Sequence, residues 1–123
     1  MGLFDIFKKK KEEAALGPFK LENFYDAPID NPTWEQVQAR IEKMMKVSDE
    51  HVLLSLDSAP HGVSYIQSIR VEGGFDVQIG VGKDDNVTLM SKICNEEELI
   101  ARFTKYYKTA EVDDIDRFKP MAF

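Results

Sequence analysis

The sequence predicts an α+β fold, in which a four-stranded antiparallel meander is packed by two helices in the order α-β-β-β-β-α, behind an N-terminal extension. Residues 51–91 contain four β-prone runs in which apolar and polar side chains alternate, as they do on strands with one buried face. Connections rich in Gly, Asn, Asp and Pro separate the runs, and such short turns favour neighbouring antiparallel strands over parallel crossovers. Helical periodicity is present on either side of this stretch.

The overall composition indicates a single acidic domain of the cytoplasm. The chain has 123 residues and a formal net charge of −6, which argues against a nucleic-acid-binding face. Its single cysteine, Cys94, excludes an internal disulfide framework and fits a reducing compartment. No apolar run approaches the roughly 20 residues that would span a bilayer. We divide the chain into an N-terminal segment and connector (residues 1–30), an α+β domain (31–110) and a C-terminal tail (111–123).

Residues 1–13 differ from the rest of the chain because a short apolar run that includes Leu3 and Ile6 precedes four lysines. A secretory signal has the opposite order, with its positive charge before a longer apolar segment, so export is not expected. One interpretation is a weak membrane-surface anchor, in which aromatic rings enter the interface and lysines meet anionic lipid. Its contacts would be Phe4, Phe7, Lys8, Lys9, Lys10 and Lys11. The other interpretation is a terminal segment that is solvated or docked on a partner.

Residues 14–31 are typical of a connector that lies against the domain. Gly17 and Pro18 form a breaker pair. The aromatic side chains of Phe19, Phe24 and Tyr25 make the segment too apolar for a free linker. We therefore expect it to contact the domain, with a strand-like piece around residues 19–24.

The two helices are predicted from their start signals and their apolar stripes. The first begins at Asn31-Pro32-Thr33, where Thr33 and Gln36 match a capping box, and the second begins after Asn95 with three glutamates in its first turn. The apolar stripes that should face the sheet are Trp34, Val37, Ile41, Met44 and Met45 in the first helix, and Leu99, Ile100, Phe103, Tyr106 and Tyr107 in the second.

Alternation along the strands predicts which side chains share a face of the sheet. The apolar rows that should meet the helices are Val52, Leu54 and Leu56; Val63, Tyr65, Ile69 and Val71; and Phe75, Val77, Ile79 and Val81. The opposite, wetter face should carry Ser64, Ile66, Ser68, Arg70, Asp76 and Gln78. Ile66 would then be an apolar residue on a polar face, which indicates a partner contact, a tolerated surface residue or a position under the connector.

No motif in the sequence points to catalysis. His51 and His61 flank the first strand of the meander, but no further metal ligands stand at a workable spacing. Cys94 precedes a helix N-terminus, which would lower a thiol pKa, yet no pattern specific to a thiol enzyme accompanies it. Phosphate-binding and dinucleotide-binding fingerprints are absent from the sequence. We therefore expect a non-enzymatic protein without a cofactor or a metal.

Four groups of residues carry a resemblance to known proteins. They are Asn31-Pro32-Thr33-Trp34-Glu35, Tyr65-Ile66-Gln67, Phe75-Asp76-Val77-Gln78, and Glu97-Glu98-Leu99-Ile100 with Phe103 and Tyr106-Tyr107. In these positions and in the order of its elements, the stretch 31–108 resembles small bacterial cytosolic α+β proteins, most of unassigned role and some associated with polymorphic-toxin immunity. The opening residues 1–9 are similar to the start of many bacterial cytosolic proteins. The resemblance concerns positions of the fold rather than of chemistry, and it implies no catalytic residue.

The leading functional hypothesis is a protein-interaction domain, and its most specific form is an immunity-type inhibitor that sequesters a toxin. An acidic surface would speed the capture of a basic partner. The candidate contacts are Ile66, Arg70, Asp76, Gln78, Asp113, Asp114 and Asp116. Two alternatives stay open. One is a membrane-surface accessory protein anchored by residues 1–13. The other is a small-molecule-binding or enzymatic domain with a pocket between helix and sheet, lined by Trp34, Tyr65 and Tyr106.

Overall fold

The computed structural model describes residues 18–83 and 85–121, which form two layers. In this part of the chain, seven strands make one antiparallel sheet in the order β2-β1-β3-β4-β5-β6-β7. The strands are β1 (Lys20–Glu22), β2 (Ile29–Asp30), β3 (His51–Ser55), β4 (Val63–Val71), β5 (Gly74–Val81), β6 (Thr88–Cys94) and β7 (Lys119–Pro120). The described helices are α1 (Trp34–Lys46) and α2 (Glu96–Thr109), with a 3₁₀ turn at Ile115–Arg117. The α+β class with two helices and an antiparallel sheet is therefore confirmed.

The helices begin where the capping signals predict. The Thr33 hydroxyl accepts a hydrogen bond from the Gln36 backbone N–H, and the Gln36 side chain accepts one from the Thr33 backbone N–H. Asn95 and Glu98 make the same reciprocal pair at the start of α2. Each capping box satisfies two of the amide donors that a helix start leaves without partners.

Both helices pack on one face of the sheet, which we call the inner face, and we call the opposite face the outer face. The helices and the inner face share one core, and full burial of a Leu- or Ile-sized side chain contributes about 1.5–3 kcal/mol. Its central members are Val37, Ile41 and Met44 from α1, Leu99, Phe103 and Tyr106 from α2, and Leu21, Val52, Leu54, Ile66, Val77 and Ile79 from the sheet. In the described part of the chain, this arrangement leaves the outer face without a helix.

The predicted count of four strands is wrong, because three short strands extend the meander. β1 pairs with β3, β2 pairs with β1, and β7 pairs with β6. The order of the described elements is thus β-β-α-β-β-β-β-α-β. The added strands have two or three residues each, which is too short for alternation to be recognised in a sequence. The strand-like piece expected near residues 19–24 is β1.

A β-bulge between Val63 and Tyr65 changes the face assignment of β4. Beyond the bulge, Ile66 pairs with Ile79 on the inner face and is 0% exposed, and Ser68 is also buried there. Because side chains alternate with a period of two, one extra residue moves the rest of the row to the other face. The outer face of β4 therefore carries Tyr65, Gln67, Ile69 and Val71. The expectation that Ile66 is exposed to a partner is wrong.

Neither described helix is long and apolar enough to cross a membrane. The membrane-anchor prediction concerns Phe4, Phe7 and the lysines at positions 8–11, and these residues lie outside the described part of the chain.

Candidate interaction surface

The partner contacts predicted in the sheet lie on both of its faces. Asp76 and Gln78 are on the outer face, where Gln78 Nε2 donates to Asp76 Oδ2 at 3.0 Å and Gln67 Nε2 donates to Gln78 Oε1 at 2.8 Å. Arg70 alternates to the inner side at the end of β4, and its Nη1 donates to the Met45 carbonyl at 3.0 Å. Asp76 and Gln78 therefore share a surface, and Arg70 does not share it.

The predicted acidic contacts of the tail lie against α2. Lys105 Nζ is 2.5 Å from Asp113 Oδ1, and Arg102 Nη2 is 3.7 Å from Asp114 Oδ2. Asp116 is exposed in the 3₁₀ turn. Since α2 covers the inner face, the tail carboxylates and the outer-face pair Asp76 and Gln78 belong to opposite layers of the molecule. The predicted contacts do not form one continuous surface.

Glu50, which directly precedes β3, is a carboxylate buried beneath the loop between β1 and β2. It accepts hydrogen bonds from the backbone N–H of Phe24 at 2.7 Å, the backbone N–H of His51 at 3.0 Å and Asn23 Nδ2 at 3.0 Å. Burial alone would raise the pKa of Glu50, but these donors outweigh burial and hold the pKa below its ordinary value. Hydrogen bonds to a charged group contribute about 1.5–3 kcal/mol each, so Glu50 ties the loop firmly to the sheet.

Arg40 and Lys43 hold the same loop from the side of α1. Arg40 Nη1 donates to Asn23 Oδ1, and Arg40 Nη2 donates to the Ala27 carbonyl at 3.2 Å. Lys43 Nζ and Asn23 Nδ2 both donate to Asp26 Oδ2 at 2.7 Å, and these hydrogen bonds lower the pKa of Asp26. We call Asn23, Asp26, Arg40, Lys43 and Glu50 the loop clamp.

The loop clamp presents two aromatic side chains to solvent. Phe24 is 67% exposed and Tyr25 is 62% exposed, and the Phe24 ring lies 3.9 Å from the His51 ring between centroids. The sequence predicted that these aromatic side chains lie against the domain, and their exposure was missed. The loop clamp that exposes them joins residues as far as 27 positions apart, and no local pattern in the sequence shows such contacts. The available signal was an aromatic pair flanked by the loop-favouring residues Asn23 and Asp26.

Beside Phe24, a row of outer-face side chains crosses four strands. His51 pairs with Ile69, Ile69 with Asp76, and Asp76 with Ile93. Ile69 is 39% exposed and Ile93 is 53% exposed. Within residues 18–83 and 85–121, His51 Nδ1 and Asp76 Oδ1 are shielded from solvent and have no hydrogen-bond partner. We call Phe24, Tyr25 and this row the docking surface, because a bound partner would cover its exposed apolar side chains.

A shallow groove of about 480 Å³ adjoins the docking surface. It is lined by Phe24, by residues 48–50 and by residues 69–72, and most of these residues are exposed. Its ionisable members are the carboxylates of Asp49, Glu50 and Glu72 and the guanidinium of Arg70. The groove is therefore net acidic, with apolar walls from Phe24, Ile69 and Val71.

The two edge strands of the described sheet are poorly suited to pairing with a strand of another chain. Among the residues that the structure describes, the sheet ends at β2 and β7, which have two residues each, and Pro120 in β7 carries no N–H. Short edge strands and proline are devices that block pairing with the strand of another chain. Both edges therefore disfavour pairing with a strand of another chain.

Cys94 is buried, and each of the two histidines lies beside a glutamate. Burial raises the pKa of Cys94 more than the nearby Arg102 and Lys92 lower it, which favours the thiol over the nucleophilic thiolate. His61 Nδ1 lies 3.8 Å from Glu111 Oε1, and His51 Nδ1 lies 3.9 Å from Glu50 Oε1. Among the described residues, no three His, Cys, Asp or Glu side chains converge to hold a metal ion.

Trp34, Tyr65 and Tyr106 do not line a common pocket. Trp34 stacks on Tyr107 with centroids 5.7 Å apart, and the buried Tyr106 hydroxyl donates to the Val63 carbonyl at 2.9 Å. Tyr65 lies on the outer face, where a Cβ at Gly80 would overlap its ring. The sheet thus separates Tyr65 from the other two aromatics.

Comparison of the chain with models of protein families, with curated proteins and with solved structures finds no significant match, so the interpretation of the docking surface depends on its own geometry and charge.

Proposed function

We propose that this protein is a non-enzymatic interaction domain that binds a protein partner through the docking surface. Its most specific form is an immunity-type inhibitor that sequesters a toxin. The observation that carries the proposal is the exposure of Phe24 and Tyr25 on a loop that five clamp residues hold in place.

Exposed aromatic side chains on an ordered loop are typical of binding hot spots. Aromatic rings bury a large area for few rotatable bonds, and interfaces are enriched in them. The hydrogen bonds from Arg40, Lys43 and Asn23 and those to Glu50 order the loop before a partner arrives. Ordering in the unbound state reduces the entropy lost on association, which favours affinity.

The charge of the chain favours a basic partner. The formal net charge is −6, and an opposite charge on the partner would raise the association rate. The exposed carboxylates of Asp49 and Glu72 adjoin Phe24 in the groove, so acidic and aromatic groups lie together.

The test compares three full-length proteins in capture from the native lysate at moderate salt. They are the unchanged chain, the double variant Phe24→Ala/Tyr25→Ala and the control Asp113→Asn/Asp116→Asn. We expect a stoichiometric polypeptide to bind the unchanged chain and the control. The aromatic variant should bind it at least about 30-fold more weakly, since a hot-spot loss exceeds about 2 kcal/mol. Circular dichroism would verify that the variants are folded.

Other outcomes would contradict the proposal or would show which form of it is correct. Equal capture by all three proteins would place the contact elsewhere, and the absence of any captured polypeptide would count against an interaction domain. Toxicity of the captured polypeptide, relieved by the unchanged chain, would support the immunity-type form. Recovery with membranes that is lost when Lys8, Lys9, Lys10 and Lys11 are replaced by Gln would instead support the membrane-surface alternative.

A further inference from the structure

We propose that the groove beside Phe24 receives an arginine side chain from a basic protein partner. This inference rests on the proposed interaction function and specifies the chemistry of the partner at one point of contact.

The charges in the groove favour a cation. Glu50 is satisfied by three donors, and Arg70 donates to the Met45 carbonyl at the C-terminal end of α1, where the helix dipole is negative. Asp49 and Glu72 are exposed and make no ion pair within the described part of the chain. These two carboxylates are therefore available to a positive group of the partner.

The walls of the groove favour arginine over lysine. The exposed Phe24 ring forms one wall, and a planar guanidinium can stack on an aromatic face while its donors reach a carboxylate. Ile69 and Val71 supply apolar surface for the methylene stem of the side chain.

The depth of the groove favours a side chain presented by a protein surface. Its volume of about 480 Å³ is in the range of ligand sites, but most of its lining residues are exposed. A small-molecule site typically buries most of its ligand, which a shallow groove cannot do. The basic segment of this same chain contains lysines 8–11 and no arginine before residue 40, so an outside partner fits the groove better.

The experiment is an NMR titration of the full-length chain with N-acetyl-arginine methylamide. The neutral isostere N-acetyl-citrulline methylamide is the matched probe. We expect saturable amide shifts at Phe24, residues 48–50 and residues 69–72 with the arginine probe and much smaller shifts with citrulline. The variant Asp49→Asn/Glu72→Gln should bind the arginine probe about three- to ten-fold more weakly, as expected for two exposed ion pairs. The variant Asp113→Asn/Asp116→Asn should bind it as the unchanged chain does.

Three results would overturn the inference. They are equal shifts with both probes, shifts centred on the tail carboxylates Asp113 and Asp116, and groove amides that move without any probe when lysines 8–11 are replaced by glutamine. The last result would identify the N-terminal segment as the occupant. A partner that is lost by Phe24→Ala/Tyr25→Ala but kept by Asp49→Asn/Glu72→Gln would leave the proposed function standing and remove only the arginine contact.

Discussion

Glu50 is the residue on which the position of the docking surface most depends. Its buried carboxylate joins two backbone N–H groups and one side-chain amide, and it links residues separated by 26 and 27 positions. The hydrogen bonds to Glu50 offset the cost of burying its charge, so the net contribution of the satisfied carboxylate to stability is modest. Disrupting it is costly, because the groups left behind have neither water nor a partner.

The substitution Glu50→Gln should lower the free energy of unfolding by about 1–3 kcal/mol, because one acceptor oxygen becomes a donor that faces the Asn23 amide. Urea unfolding would measure this change. The control Glu42→Gln, on the exposed side of α1, should change stability by less than about 0.5 kcal/mol. Hydrogen exchange at the Phe24 amide should also speed up in Glu50→Gln, and equal stability losses in the two variants would contradict the role of Glu50.

His51 should make stability depend on pH in the neutral range. Burial lowers the pKa of His51 from its ordinary value of 6.5 more than the Glu50 and Glu22 carboxylates raise it. As the pH falls through about 6.5, the unfolded chain binds a proton at this imidazole before the folded chain does, so the folded state loses stability. The lowered pKa of Glu50 acts in the same direction, but only below its ordinary value of 4.5.

The measurement is the free energy of unfolding at about pH 7.5 and about pH 5.5, a window above the titration of Glu50. The unchanged chain should lose more stability across this window than His51→Gln, which has no imidazole at this position. The same loss in both proteins would show that other groups cause the dependence.

At the scale of elements, the bulge in β4 decides which of its side chains face the helices and which lie on the outer face. Val63 is buried on the inner face, and the extra residue before Tyr65 places Ile66 inside and Ile69 outside. Without the bulge, alternation from Val63 would place Tyr65 and Ile69 in the core. The bulge therefore places one isoleucine of β4, Ile69, in the docking surface and another, Ile66, in the core.

The matched pair Ile66→Ala and Ile69→Ala tests this assignment, since both positions are isoleucines of one strand. Ile66→Ala should lower the free energy of unfolding by about 2–4 kcal/mol because it leaves a cavity in the core. Ile69→Ala should lower it by less than about 1 kcal/mol, because Ile69 is partly exposed. Chemical denaturation of both variants would measure the difference, and the reverse order would refute the observed register.

At the scale of the whole molecule, residues from both ends of the described chain complete one core. Phe19 and Leu21 precede α1 in sequence, Phe118 follows α2, and all three belong to the same buried cluster. The Phe19 ring lies 5.7 Å from the Tyr106 ring, and the Arg102 guanidinium lies 5.6 Å from the centroid of the Phe118 ring. Folding of the central meander and packing of these outer segments are therefore expected to be cooperative.

The substitution Phe118→Ala should lower the free energy of unfolding by about 3–5 kcal/mol, as for a large aromatic side chain of a core. Met121→Ala, at a half-buried position three residues later, should have a smaller effect. Thermal and urea unfolding would compare them. A separate early transition in Phe118→Ala, with the main transition unchanged, would mean that the C-terminal segment is not part of the cooperative unit.

The sequence by itself determined the features that depend on near neighbours. The capping boxes at Thr33 and Asn95, the stripes of both helices and the inner rows of β3 and β5 all follow from periods of 3.6 and 2 within a few residues. Only the tertiary structure decided the features that depend on distant partners. The bulge places Ile66 in the core, and Glu50 holds Phe24 at the surface across 26 positions. β1 and β7 form on the edges that β3 and β6 offer, and β2 forms on β1. No local pattern records such contacts, because each is set by packing between segments that meet only when the chain is folded.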